Sequence, residues 1–397
     1  MDRSKYKKGV AIVFVTITLS SMVFLTLMFI NYSKAIADNA FYKAHIHLAS
    51  RSVLSEYNIP LKERYSIFSF NLKREDLTQR MKYYLNENVN KGILLGGEVK
   101  SVTLNLDDYY LFDPDILEYQ ILKAAEYDFA NRKVPQDYEF NKENGNLHGF
   151  AALPSKTAIN KSITIDSLIS LLKNPKALVL HGTDKYLRLK YLKSYFNNYR
   201  KEEGIPDTYF NYELEYILYG RVTDYGNLDK FKSDFILMRT ALNLAHIVSD
   251  KEKIASLEVL ANTLTPGPEA EVTKAVLASI WARLEAGNDW KMVSKDKGVE
   301  PIKSKEDWAV SLKSIFQSSS EEGYVKPKRE SDFTYEDYLT VFLAVQNRNT
   351  QLLRTMDLME LNICCYEGPD FSIKDCCTGF SYFIWLGGKS FEGKEIY

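Results

Sequence analysis

VAIVFVTITLSSMVFLTLMFI, Val10 to Ile30, is a run of twenty-one residues without a charge, and Arg3, Lys5, Lys7 and Lys8 stand just before it. At about 1.5 Å of rise per residue, a helix of this length reaches roughly 30 Å, the thickness of a hydrocarbon core. Lys and Arg beside a first span stay on the cytoplasmic side. The stretch therefore predicts a cytoplasmic basic segment over 1–9 and a transmembrane helix over 10–30, with membrane lipid around it and the bulk of the chain extracytoplasmic. A cleaved signal peptide is the rival reading, since Ala35-Ile36-Ala37 has the Ala-x-Ala form. Signal peptides have apolar cores of about 7–15 residues, however, and this run is longer.

No Gly or Pro interrupts the chain from Asn31 to Tyr57, and Asn58 and Pro60 supply the stop. Tyr32, Ile36, Ala40, Ala44, Leu48 and Ser52 follow at four-residue steps, with Ala37, Phe41 and Val53 widening the stripe. This predicts that the helix runs on as an amphipathic stalk over 31–57, its stripe packing on the chain's own domain, on a copy of itself or on a partner. Within the span, Thr16 and Ser20 make a small-xxx-small pair that suits close approach of another helix. Such hydroxyls also sit in lone anchors, bonded back to their own carbonyls.

Past the span lies enough chain for one large or two ordinary domains. The whole chain has 397 residues and a formal net charge of −1, and its first eight residues hold four basic groups against one acidic. The remainder is therefore mildly acidic, which excludes the basic surplus of a nucleic-acid binder. The predicted fold class is α+β and helix-rich, in three parts beyond the stalk. The first is a membrane-proximal α/β unit over 58–132, with a helix over 76–88 and a strand over 98–106. The second is a linker or surface loop over 133–161. The third is a helix-rich domain over 162–397, with helices over 227–249, 251–263, 269–287, 305–317, 336–345 and 349–362, and a last strand over 380–386. The short apolar runs 177–180 and 212–218 read as strands or buried helix ends.

The usual catalytic constellations are missing: no Gly-x-Ser-x-Gly, no phosphate-binding Gly loop, no His-Glu-x-x-His and no EF-hand loop. Of the five histidines, His45 and His47 point to different sides of a helix, and His246 lies in an apolar helical pattern. Asp107, Asp108, Asp113 and Asp115 can gather around a hard cation or serve a solvated loop and a helix cap. Glu213 and Glu215 share a face only if their segment is a strand. The sequence thus assigns no catalytic residue, no cofactor and no metal. Twenty-seven tyrosines, among them Tyr191, Tyr195 and Tyr199 at helical spacing, suit either a half-buried helix face or a binding surface for cell-wall glycan or exported peptide.

Cys364-Cys365 and Cys376-Cys377 are the four cysteines. Outside the cytoplasm, two vicinal pairs read as a disulfide clamp across a short loop, of unassigned connectivity. A four-thiolate zinc site and free thiols are the alternatives, though adjacent cysteines fit tetrahedral zinc less easily.

With these residues in view, the chain resembles the TadE/TadG-like proteins of Tad (Flp-type) pilus and secretion systems, in their large Gram-positive branch. The resemblance rests on Lys8-Gly9 entering the span, Leu54-Ser55-Glu56-Tyr57-Asn58, and Leu61-Lys62-Glu63-Arg64-Tyr65. Further on it rests on Leu214 to Gly220, Asn227-Leu228 with Arg239, Ala241 to Leu244, and Tyr335 to Leu339. It implies a minor pilin-like or assembly protein, not an enzyme, whose partners are pilus or secretion components or its own copies through the N-terminal helix. Two positions depart from the family's pattern. Phe14 stands where pilin-like precursors carry a Glu five residues beyond a cleaved Gly, and Ser66 stands where the family tends to have Gly.

Overall fold

A computed structural model describes residues 3–90, 98–126, 135, 138–157, 163–173, 183–201, 204–317, 323–329 and 331–397. The apolar run 177–180, His181 and the two ends of the expected linker lie outside them. In chain order the helices begin with α1 (Arg3–Leu54), α2 (Ile59–Tyr65) and α3 (Arg74–Asn90), and strand β1 (Val99–Asn105) follows. Next come α4 (Pro114–Glu126), α5 (Lys142–His148), α6 (Ile165–Lys173), α7 (Thr183–Tyr195) and α8 (Glu213–Tyr219). The chain continues through α9 (Asp224–Ser249), α10 (Lys251–Leu264), α11 (Ala270–Val293), α12 (Tyr335–Val345) and α13 (Arg348–Glu367), and closes with β2 (Gly379–Leu386) and β3 (Lys389–Ile396). The described residues are helix-rich, with a three-stranded antiparallel sheet in the order β1-β2-β3.

Two compact units divide the chain, and they are not consecutive in sequence. One holds residues 1–57, 69–110 and 377–397; the other holds 58–68 and 111–376. The cut expected between 57 and 58 coincides with one of these divisions, whereas the units are not divided at 133 or 162; strand pairing across the sequence sets their membership. The partner of β1 is β2, from the far end of the chain, in a register that pairs Thr103 with Phe383 and Leu104 with Tyr382. β2 turns through Gly387-Gly388, both at positive φ, into β3. A two-glycine link between strands is a hairpin signal, and it marks a strand that the sequence reading missed.

In the first unit, α1 supplies the wall against which the sheet and α3 pack. Tyr42, Ile46, Ala49 and Val53 are buried with Leu77, Met81 and Leu85 of α3 and with Val102, Leu104, Ile384 and Phe391 of the sheet. Alternation along β1 buries Val102 and Leu104 as the pattern predicts, and Leu106 is buried just beyond the strand. The apolar window of α1 has a mean hydropathy of 2.3 and none of it is buried, so the helix is long and apolar enough to cross a membrane.

The second unit is organised around α13, whose residues are buried from Thr350 to Tyr366 without a break. A helix buried all round normally carries apolar residues only, yet this one holds Gln351, Arg354, Asp357, Glu360 and Asn362. Each grips a neighbouring segment. Asp357 accepts from the Ser155 N–H at 2.8 Å, Glu360 from the Ile373 N–H at 2.7 Å, and Asn362 from the Tyr209 N–H at 2.6 Å. Arg354 donates to the carbonyls of Ile217 and Leu218, and Gln351 to that of Leu343. Buried polar groups of this kind stabilise loops whose backbone would otherwise be unpaired.

Two further corrections follow from the same economy. The segment expected as a plain linker carries α5, and its Gly145 is buried where a Cβ would stand 2.7 Å from the Tyr209 ring and 3.1 Å from Cys365 Sγ. Glycine is what allows α5 this close to α13. The helix expected over 305–317 is instead two 3-10 turns, Lys305–Asp307 and Leu312–Phe316. Between them the chain extends so that the N–H groups of Ala309 and Val310 reach the buried carboxylate of Glu285, at 3.0 and 2.7 Å.

Candidate functional site

The residues of α1 docked on the domain, 42, 46, 49 and 53, alternate steps of four and three and so stay on one stripe of a helix with 3.6 residues per turn. A constant step of four advances about 400°, so it drifts about 40° around the axis at each step. Ile36, Ala40, Ala44 and Leu48 follow that drifting row and lie on the side turned away from the sheet and α3. All four are exposed, Ile36 at 53% and Leu48 at 52%. Of the stripe read from the sequence, Val53 is buried and Phe41 half-buried in the first unit's core, while the row through Ile36, Ala40, Ala44 and Leu48 is not covered by it. Thr16 and Ser20 belong to the same four-step row, yet the drift turns them to another side of the helix. Thr16 donates to the Val13 carbonyl at 2.9 Å, as a lone lipid-facing hydroxyl does.

Glu213 and Glu215 sit on a helix, so they point apart. Glu213 accepts from the Asn197 N–H at 2.9 Å and from the Asn362 amide at 2.8 Å. Glu215 accepts from the Tyr199 N–H at 3.0 Å and the Tyr335 hydroxyl at 2.6 Å, and its second oxygen is buried without a partner. Desolvation pushes the Glu215 carboxyl up to about 7, against the lowering effect of the Tyr335 hydroxyl and the Tyr199 N–H. Both carboxyls act as internal ties between loop and helix, and the strand-borne pair of catalytic carboxylates does not form.

A second buried cluster joins α9 and α11 to the extended segment that follows. Arg239 is fully buried; its Nε donates to Asp289 at 2.9 Å and its Nη1 to the Pro301 carbonyl at 2.7 Å. Lys303 donates to the other Asp289 oxygen at 2.7 Å and pairs with Glu285. Two cations thus meet two carboxylates. Burial alone would raise the Asp289 carboxyl, but Arg239 and Lys303 together hold it below the usual carboxylate range. Sequence reading had picked Arg239 only as part of a resemblance; four charges scattered over 65 residues leave no local pattern.

Several of the tyrosines the sequence singles out are interior. Tyr191, Tyr216, Tyr335 and Tyr338 are fully buried and Tyr195 nearly so, with Tyr191 and Tyr195 stacked at 4.3 Å between ring centroids. Their hydroxyls find internal acceptors: Tyr216 donates to Asp357 at 2.9 Å and Tyr191 to the Tyr65 carbonyl at 2.8 Å. Tyr191, Tyr195, Tyr335 and Tyr338 therefore serve the core of the second unit and not a binding surface.

All four cysteines are buried, and no disulfide joins them. Neighbours on a helix diverge by about 100°, so Cys364 turns to the Phe371 carbonyl at 3.4 Å while Cys365 packs by Gly145. Cys376 belongs to the core of the second unit and Cys377 to that of the first. Desolvation pushes the Cys365 thiol up to about 11 and raises Cys364 further. Raised in this way, Cys364 and Cys365 hold little thiolate, the form that acts as a nucleophile. Among the described residues, no group of three or more His, Cys, Asp or Glu is placed to hold a metal. His45 and His47 lie in unlike surroundings, the former beside Phe41 and the latter against Glu395 at 2.8 Å. His148 pairs with the buried Glu360 at 2.8 Å, and His246 stacks on Trp308. Asp107 pairs with Arg74, Asp113 caps the Asp115 N–H, and Asp115 pairs with Arg348.

A groove of about 480 Å³ opens between α9 and α11, with Ile236, Ile280 and Leu284 on its walls and Arg283 beside them. Its lining includes Gln317 and Gly323, on either side of residues outside the described set.

Among comparisons with known proteins, the model of a family of unknown function, DUF5702, matches residues 142–387. No curated protein and no solved structure matches the chain.

Proposed function

The chain belongs to the family of unknown function DUF5702, and we propose that it is a membrane-anchored, extracytoplasmic structural or assembly protein rather than an enzyme. Its specific place would be as a minor pilin-like component of a Tad-type pilus or secretion system. The observation that carries the reading is α1: a helix with an exposed apolar window at one end and a docked domain at the other, without a break between them. Such a helix transmits position from the bilayer to the first unit, and its exposed row through Ala40 and Ala44 leaves a second side for another helix. Arg3, Lys5, Lys7 and Lys8 favour a cytoplasmic N-terminus. The pilus assignment itself rests on the TadE/TadG-like resemblance.

A photo-crosslinking residue at position 40 or 44 of the full chain, in native membranes, tests the reading. A crosslink to a second copy or to a pilus or secretion component is expected from these positions and not from 46, which faces the chain's own core. A protein recovered only as an uncrosslinked monomer, or one whose C-terminal tag lies in the cytoplasm, would overturn it.

A further inference from the structure

One face of the β1-β2-β3 sheet is buried through Val102, Leu104 and Ile384, so the pleat turns Thr103, Phe383 and Glu392 to the other side in one cross-strand row. A sheet with one face on a core normally shows polar residues on its other face. Here Phe383 is 45% exposed and Trp385 38% exposed, two aromatic rings on alternate residues of the central strand. Desolvating them would be favourable, and nothing in the unit does so.

Beside Phe383 the face forms a hollow of about 600 Å³, bordered by Thr103, Asn105, Asp108, Glu392 and Lys394. Among the described residues the side chains of Asp108, Glu392 and Lys394 make no hydrogen bond or ion pair with the protein. Asn105 accepts from the Asp107 N–H, which leaves its amide N–H groups outward. The rim thus offers carboxylate acceptors, amide and ammonium donors and a hydroxyl around an aromatic floor. Two carboxylates against one ammonium leave the rim net negative, which opposes phosphates, nucleic acids and anionic headgroups.

We propose that this sheet face binds a neutral glycan strand, with Phe383 and Trp385 stacking on the C–H faces of adjoining pyranose rings while Asn105, Asp108, Glu392 and Lys394 bond their hydroxyls. A pyranose presents what the face lacks: apolar C–H groups for the negative faces of the rings, and hydroxyls that both donate and accept at the edge. Alternate residues on a strand lie about 6.6 Å apart, so the two rings address neighbouring sugars of an extended strand rather than one. This goes beyond the anchoring role and does not depend on it.

The test uses the full chain in nanodiscs of neutral lipid, titrated with chitohexaose and with cellohexaose by calorimetry. Saturable binding to at least one hexamer is expected, weakened tenfold or more by Trp385→Ala and by Phe383→Ala and unchanged by Tyr225→Ala, an exposed aromatic of the other unit. Thr103→Arg, which fills the hollow and leaves both rings in place, is expected to weaken binding equally and guards against misfolding of the ring variants. Absence of binding to both hexamers overturns the proposal, as does binding indifferent to all three sheet variants. Quenching of Trp385 by brominated lipid would place the face on the bilayer and overturn it too.

Discussion

Glu215 shows what burial does to a single carboxyl. Its pKa is raised from 4.5 to about 7, chiefly by desolvation, and its unpartnered second oxygen suits a carboxyl that keeps its proton. An acid raised in the folded chain binds more protons folded than unfolded between the two values, so its contribution to stability falls as pH rises from about 4.5 to about 7. The full difference is about 3 kcal/mol. Glu215→Gln keeps the acceptor for Tyr199 and Tyr335 and cannot ionise. Urea unfolding in detergent is expected to show the variant gaining about 2–3 kcal/mol on the natural protein between pH 5 and pH 8; parallel curves would mean that Glu215 does not titrate in this window. Arg239 behaves in the opposite way. Removing a partner from a buried ion cluster leaves a stranded charge, so Asp289→Asn or Arg239→Met is expected to lower the unfolding free energy by about 3–5 kcal/mol. Gly220 adds a backbone case: it ends α8 at φ 63, and a Cβ there would meet Arg354 Nε at 2.8 Å. Gly220→Ala should cost about 1–2 kcal/mol by the same measurement, and no loss would show that Arg354 yields.

At the scale of elements, most helices and β1 were legible because their apolar periodicity is local. α10, α12 and the start of α13 lie within a residue or two of the ranges read from the sequence. The errors have physical causes. A row at fixed four-residue spacing looks like one face when written out, yet it winds around the helix, so the face that docks α1 is the opposite one, through Tyr42, Ile46, Ala49 and Val53. The tyrosine stripe of α7 reads as amphipathic although both sides of Tyr are used inside, ring against ring and hydroxyl against carbonyl. The vicinal cysteines read as a clamp, but helical geometry sends Cys364 and Cys365 to different neighbours. Alkylation of the unreduced, denatured protein tests this element directly. Four adducts by mass are expected in the absence of a disulfide, and none if the clamp forms. The polar residues of α13, the centre of the second unit, gave no sign of burial, because the backbone groups they satisfy come from distant segments.

For the whole molecule, chain order and unit membership diverge. The first unit is completed only by residues 377–397, which bring β2 and β3 to β1. A chain ending at Cys376 would leave β1 unpaired and expose Ile46, Ala49 and Val53 of α1. Limited proteolysis is expected to cut that truncated chain within residues 69–110 while the 111–376 segment keeps its protection; resistance of both would show that the hairpin is dispensable. What the sequence determined by itself is whatever depends on neighbours along the chain: the charge-free span, the unbroken helix beyond it, most helices, and the lack of any local catalytic motif. The tertiary structure alone decided which face of α1 is docked, how β1 is paired, that Glu213 and Glu215 are internal ties, and where two aromatic rings remain in water. Those outcomes depend on groups hundreds of residues apart meeting in space, and the free energy of burying a group is set by what surrounds it, not by what precedes it.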